Sequence, residues 1–356
     1  MSRVVTFGEI MGRLATPGFQ RFQQAMPGSM NVTFAGAEAT TAASIAYLGG
    51  HAAFVTALPT HAIADACIAD LKSLAVDTRH ILRTPQGRLG LYFFENGANQ
   101  RPCNVIYDRD GAAVAITPSE SYDWNAIFDG ASWFHTTGIT PALSQNAAKV
   151  AQVALREASS RGLRISMDMN FRSKLWNWAP PLKPQELAMR TLGELLPYVT
   201  VFLGGLEDAA ALLDIRPEAG SQDPYLEVAR KIVARFPQMT HIALSMRESI
   251  SATHNNWGGM LYDAALDQAF QSPCRDGVYE PFQITHIVDR LGAGDAFAAG
   301  LIFSLMTPEL SAPATALSFA VAAGCLAHSI EGDYNYSTRE EIEALMSGDA
   351  PGRVKR

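Results

Sequence analysis

Cysteine is scarce. The 356 residues hold four, Cys67, Cys103, Cys274 and Cys325, far apart, with no C-x-x-C pair and no Cys/His group at metal-ligand spacing. No disulfide framework and no structural zinc are expected, and scattered reduced thiols fit a cytoplasmic chain. The eight histidines show neither H-E-x-x-H nor an i,i+4 pair. Basic runs are missing as well: Lys and Arg total 28 against 35 Asp and Glu, a net charge of −7. Nothing in the chain tracks a phosphate backbone, so nucleic acid is not an expected partner. No apolar run has the strength of a membrane span; the longest, Ala312 to Ile330, carries Ser318, His328 and Ser329 and reads as a buried helix. Gly8 and Glu9 cut the first apolar run too early for a signal-peptide core, so Val4 to Phe7 reads as a strand. Two phosphate fingerprints are absent: there is no G-x-x-x-x-G-K-[ST], and Phe297 stands where G-x-G-x-x-G needs its third glycine. The first βα turn, Gly8 to Gly12, lacks dinucleotide spacing too, which disfavours a dehydrogenase.

What is present describes a compact enzyme-like chain. Hydrophobic residues reach 48% and charged residues only 18%, which excludes disorder over most of the length. At about 150 residues per domain the chain holds roughly two folding units, or one large domain with an elaboration. Strand-like runs (Val4–Phe7, Ala53–Leu58, Ser132–Thr136, Leu163–Asp168, Thr200–Leu203, His241–Ser245) alternate with helical ones. The helical stretches are Ala37–Leu48, Ile63–Leu74, Ser144–Ser160, Pro184–Leu195, Tyr225–Phe236 and Asp295–Leu305. That alternation predicts a mostly parallel sheet with helices on both faces. Segments 12–34 and 88–115 break the rhythm, the second through strands joined at Glu95-Asn96-Gly97, and are expected to form a small added β-element. The simplest organisation is one domain over residues 1–346 with these two insertions, and a frayed tail at 347–356.

One segment carries chemistry: Ile287-Val288-Asp289-Arg290-Leu291-Gly292-Ala293-Gly294-Asp295, followed by a helix of small residues. Gly292 and Gly294 permit backbone closed to other residues and clear the approach to a helix N-terminus. The free N–H groups there, with the helix dipole, make an anion site. Asp295 is either a helix cap or a base that takes a proton from a hydroxyl. A second strand, glycine turn and small-faced helix runs from Asn31 through Ala35-Gly36 to Gly50.

The two glycine-rich helix starts together resemble the signatures of the ribokinase-like, or PfkB, carbohydrate kinases, in particular those acting on 2-keto-3-deoxygluconate. Phe7-Gly8-Glu9-Ile10, Gly36-Ala37-Glu38-Ala39, Ile106 to Arg109, Asp168 to Arg172 with Leu175-Trp176, and Gly332 to Asn335 carry the likeness along almost the whole chain. The resemblance implies a three-layer α/β sandwich with a small β-sheet lid, an ATP-dependent kinase, and Asp295 as catalytic base beside an anion hole at Gly292, Ala293 and Gly294. It implies that Arg109, Tyr107 and Arg172 grip a substrate carboxylate, with Tyr92, Asn170 and the backbone of Ala35-Gly36 around it. An arginine fork fixes the plane of a carboxylate. Ser245 and Arg247 are the implied nucleotide contacts, ATP and Mg²⁺ the implied cosubstrate and cofactor, a sugar or sugar acid the partner, and a homodimer through the lid the assembly.

Each role has a plainer rival. Arg109 lies between Asp108 and Asp110 and fits a solvated turn; Arg247 fits a surface charge; Tyr92 and Tyr107 fit the apolar side of a lid strand. The chain also departs from the family pattern. Gly205-Leu206-Glu207-Asp208 stands where N-x-x-E is usual, which leaves Asp208 or Glu207 to meet Mg²⁺ through water. Ala35 replaces the first glycine and Thr40 the asparagine of the first signature. These changes keep two alternatives open: a kinase of a neutral sugar or nucleoside, and a sugar-binding paralogue with weakened catalysis.

Overall fold

The computed structural model describes residues 3–348. The strands, in chain order, are β1 (Arg3–Phe7), β2 (Met11–Ala15), β3 (Asn31–Ala35), β4 (Ala52–Pro59), β5 (Ile81–Thr84), β6 (Gly90–Glu95), β7 (Asn104–Asp108), β8 (Ala131–Thr137), β9 (Arg164–Asp168), β10 (Val201–Gly204), β11 (His241–Ser251), β12 (His254–Asp263), β13 (Gln268–Ser272), β14 (Cys274–Arg275), β15 (Val278–Tyr279) and β16 (Phe282–Ile284). Ten of them form the main sheet, in the order β13-β12-β11-β10-β9-β8-β1-β4-β5 with β16 paired to β12. From β5 to β11 every pairing is parallel. β12, β13 and β16 run antiparallel. Their segment, Asn255 to Ile284, is too interrupted by Gly and Pro to be legible as strands from pattern alone.

Alternation along each parallel strand sends residues to both faces, and both faces are covered. Val5 and Phe7 of β1 point into a core shared with the helices Gln145–Ser160, Pro184–Leu195 and Pro224–Arg235. Val4 points the other way, to a core shared with the helices Ala37–Tyr47, Ala293–Met306 and Pro313–Ala327. The last two are apolar on nearly all sides because they lie between the sheet and further helix, so amphipathicity has no face to mark. They approach closely: a Cβ on Gly300 would sit 2.9 Å from Ala320 Cα. The apolar stretch from Ala312 is thus a core helix, and no helix among the described residues is long and apolar enough to cross a membrane.

Four strands outside this sheet form a second one, in the order β3-β2-β6-β7. Its register pairs Arg13 with Tyr92 and Tyr92 with Tyr107, so these three share one face. Leu14, Val32, Phe93 and Ile106 share the other. Both inserted segments therefore contribute strands, while Ala112–Ala115, at the end of the second, lie in the main core. The expected tight turn at Glu95-Asn96-Gly97 is not formed. Glu95 pairs with Asn104, and residues 96–103 make a longer loop, closed by Ala98 and Arg101 bonding to each other and tied by Ala252 N–H to Asn99 O at 2.7 Å. That tertiary tie to the β11–β12 hairpin overrides the local Asn-Gly preference. The expected frayed tail, beyond Gly348, lies outside the described residues.

Candidate active site

The main sheet reverses its strand order beside β1, and open α/β sheets bind ligands at the carboxyl ends of strands flanking such a point. A cleft opens there, roofed by the four-stranded sheet. Ala35, Gly36, Tyr92, Tyr107, Arg109, Asn170 and Arg172, all seven residues expected around a substrate, line it together with Gly292 and Asp295. Ala293, Gly294, Ser245, Arg247, Glu207 and Asp208 are not part of this lining.

Gly292 caps the helix Ala293–Met306 at φ +80°, and a Cβ there would overlap the carbonyl oxygen of Asp333. No other residue fits that position. Gly294 is different from its expectation: it is helical, exposed, and has open space where a side chain would stand. Its value is access, not backbone freedom. The N–H groups of this first turn have no intrahelical acceptor and point out of the helix end. Asp295, in the same turn, is held well above the usual carboxylate range by burial first, then by Asp168, Asp333 and Glu38, with Arg172 opposing.

Glu38 is one of several acids that sequence reasoning left without a role. It is 1% exposed, and its Oε1 accepts from Thr137 N–H at 3.0 Å, Thr137 Oγ1 at 2.8 Å and Thr140 Oγ1 at 2.7 Å. These bonds pin the start of the helix Ala37–Tyr47 to the end of β8. Glu9 also lines the cleft and forms a buried ion pair with Arg109. Burial raises the Glu9 carboxyl, and Arg109 opposes that rise. The pairing overturns the solvated-turn reading of Arg109: Asp108 and Asp110 are exposed on either side, but Arg109 is buried, its guanidinium 5.2 Å from the Tyr107 ring. Arg109 Nε and Glu9 Oε1 are buried without a hydrogen-bond partner. Asp333, from the far end of the chain, completes the wall and accepts the Tyr92 hydroxyl at 3.0 Å. Tyr92 is thus buried against the site, not merely a face of its strand.

Arg172 is exposed at the cleft mouth, just after Asn170, whose φ of +36° turns the chain out of β9. Asp168, at the end of β9, is pushed up to about 7 by burial and by Asp208, with Arg172 opposing. Asp208 accepts Gly205 N–H at 2.9 Å and Phe171 N–H at 3.4 Å, which anchors the helix Leu206–Leu213. Glu207 is exposed beside it. Among the described residues no group of three or more His, Cys, Asp or Glu gathers to hold a metal. Ser245 Oγ donates to Gly204 O at 3.4 Å, and Arg247 is exposed farther along β11.

This fold is that of the ribokinase-like kinases. A solved 2-dehydro-3-deoxygluconokinase from Thermotoga maritima superimposes with a TM-score of 0.89 at 38% identity, covering 98% of each chain. A solved PfkB family carbohydrate kinase from Listeria grayi gives 0.86 at 30% identity, over 97% of this chain and 99% of that one. Among curated proteins, a 2-dehydro-3-deoxygalactonokinase from Haloferax volcanii is 29% identical, over 99% of this chain and 98% of its own. Residues 1–339 match the pfkB family carbohydrate kinase pattern, and the chain belongs to that family. It is a sugar kinase.

The Asp168 carboxyl yields a stability prediction. Raised from an unfolded value near ~3.9 to about 7, it contributes stability that is complete below the unfolded value and lost as pH rises through about 7. Asp168→Asn is therefore expected to raise the denaturation midpoint at pH 8 and to leave it unchanged near pH 4. A midpoint gain of equal size at both pH values contradicts the assignment.

Proposed function

We propose that the protein transfers the γ-phosphoryl group of ATP to a hydroxyl of a 2-keto-3-deoxy sugar acid, with 2-keto-3-deoxygluconate as the preferred acceptor. The observation that carries this is the convergence, in one cleft, of Asp295 at a helix N-terminus with two arginines, Arg109 and Arg172. Relatives named for keto-deoxy sugar acids support the choice of acceptor.

In this reading the acceptor hydroxyl gives its proton to Asp295 as its oxygen attacks the γ-phosphorus. The bond from that phosphorus to the β-phosphate oxygen breaks, and ADP leaves. A carboxylate lifted by burial and neighbouring acids is a stronger base than a solvated one. The N–H groups of Gly292, Ala293 and Gly294 stabilise charge on the transferring group. Arg172 offers a whole guanidinium to the substrate carboxylate, and Arg109 offers the edge that Glu9 leaves open. Tyr92, Tyr107, Asn170 and the Ala35-Gly36 backbone shape the remaining wall. Ser245 and Arg247 serve the nucleotide. The acids on that side, Glu207 exposed and Asp208 engaged with backbone, suit a Mg²⁺ ion that keeps water and phosphate oxygens as most of its ligands. When bound, the ion neutralises phosphate charge. A kinase of a neutral sugar is the second reading, favoured by the Glu9 partner that Arg109 already has.

The outer face of the four-stranded sheet supplies the assembly: Val32 and Ile106 are 64% and 50% exposed beside Leu14 and Phe93. A second copy pairing through the same face buries it by two-fold symmetry. The double variant Val32→Lys, Ile106→Lys is expected to halve the mass seen by light scattering; an unchanged mass removes this face from any interface.

Asp295→Asn is expected to keep ATP binding while lowering turnover about 10²–10⁴-fold. Near wild-type turnover takes Asp295 out of the mechanism. Arg109→Ala and Arg172→Ala are expected to raise KM for the sugar acid far more than for its uncharged analogue. Equal effects on both acceptors favour the neutral-sugar reading.

A further inference from the structure

The mechanism above leaves one buried cation unused. Arg13, in the middle of β2, is 1% exposed and does not line the cleft. Its guanidinium lies 4.7 Å from the Phe94 ring centre and donates in two directions, to Asp289 and, through Nη1, to Asp333 Oδ1 at 2.6 Å. Each partner is tied into a further piece of the site. Asp289 opens the turn into the helix Ala293–Met306: its Oδ1 accepts Leu291 N–H at 3.1 Å and its Oδ2 accepts Gly332 N–H at 3.2 Å. Asp333 accepts the Tyr92 hydroxyl, and its carbonyl oxygen fills the space beside Gly292. One guanidinium thus joins three stretches that are remote in sequence: the roof sheet, the turn that presents the anion-binding N–H groups, and the segment 332–333.

Burying a cation between two carboxylates is poor value for stability, since a well-packed apolar residue of similar volume commonly does as well or better. A planar fork, though, fixes both distance and plane between the groups it joins. We infer that Arg13 is a positioning residue: it sets the turn 289–292, and with it Asp295 and the helix N–H groups, in register with the roof strands that carry Tyr92 and Tyr107 and lead into Arg109. This inference rests on the kinase reading above.

The test uses the full chain with Mg-ATP and 2-keto-3-deoxygluconate, and measures kcat, both KM values and the urea midpoint of each variant. Arg13→Met is expected to lower kcat about 10²-fold, the scale of a displacement near 1 Å in a reacting geometry, with KM for ATP within about twofold of wild type. Arg13→Lys, which keeps charge but not the fork, is expected to recover part of that loss. Adding Asp289→Asn to Arg13→Met is expected to cost little more, because both changes break the same joint. A folded Arg13→Met enzyme with wild-type kcat, or losses from Arg13 and Asp289 that multiply, overturns the inference. If Arg13→Met does not fold, Arg13→Lys decides alone: about a tenfold fall in kcat supports the role, and parity overturns it. Wild-type turnover reports on the kinase reading itself. A wild type silent with 2-keto-3-deoxygluconate, fructose and ribose alike overturns both, whereas an active wild type with Arg13 variants at parity overturns only the role of Arg13.

Discussion

The site depends on the close approach of two backbones. The carbonyl oxygen of Asp333 occupies the space where a side chain of residue 292 would stand, and Gly292 meets it in the left-handed conformation at φ +80°. From that contact follow the direction of the helix Ala293–Met306, the exposure of its first N–H groups, and the placement of Asp295 in its first turn. The same contact brings the Asp333 carboxylate to the cleft wall, where Tyr92 meets it. The body of this helix is packed in the core and approaches its neighbour so closely that Gly300 leaves no room for a side chain beside Ala320.

Around that helix end the cleft is built from charge in deliberate imbalance. Glu9, Glu38, Asp295 and Asp333 line it, and Arg109 and Arg172 are the arginines among its walls. Glu38 is committed to hydroxyl and backbone donors on β8, and Glu9 to Arg109. Burial raises all four acids, and for Asp295 repulsion from Asp168, Asp333 and Glu38 adds to it, which leaves a basic carboxylate beside the anion site. Phosphoryl transfer asks for such positioning more than for covalent chemistry. The roof sheet meets this region through three ion pairs, Arg109 with Glu9 and Arg13 with both Asp289 and Asp333, so the strands that bring Tyr92 and Tyr107 are joined electrostatically to the elements below.

The sheet and its flanking helices were legible because parallel strands buried on both faces are continuous apolar runs, and helices between them carry clear starts. The β12, β13 and β16 strands were not, because Gly258 and Gly259 interrupt β12, Pro273 follows β13 directly, and the pairing runs outward from β11 to β12 and from β12 to the other two. The loop 96–103 was misread as a tight turn because its geometry is set by Ala252, far along the chain. In the cleft, the glycine turn was legible from residue type and spacing, Arg172 drew support from its place after a strand end, and Arg109, which by itself reads as a solvated turn, was placed only by the family resemblance. Glu9, Glu38 and Asp333 lay inside segments already singled out for resemblance, yet their roles depend on partners that no local pattern reveals: Arg109 is 100 residues from Glu9, and Thr137 is 99 from Glu38. Arg13 carried no signal at all, since a lone arginine in a short strand reads as a surface charge until Asp289 and Asp333 are seen closing on it.

Acceptor identity separates a carboxylate grip by Arg109 and Arg172 from a neutral-sugar site. The most direct measurement is coupled ADP release with Mg-ATP across 2-keto-3-deoxygluconate, its galacto epimer, gluconate, fructose, ribose and adenosine. Turnover of the two keto acids and not of fructose, ribose or adenosine is the predicted result, because the neutral acceptors offer a hydroxyl to Asp295 but no carboxylate to Arg109 and Arg172. Turnover of fructose or ribose at rates equal to the keto acids contradicts the carboxylate grip, and silence with every acceptor contradicts the proposed chemistry.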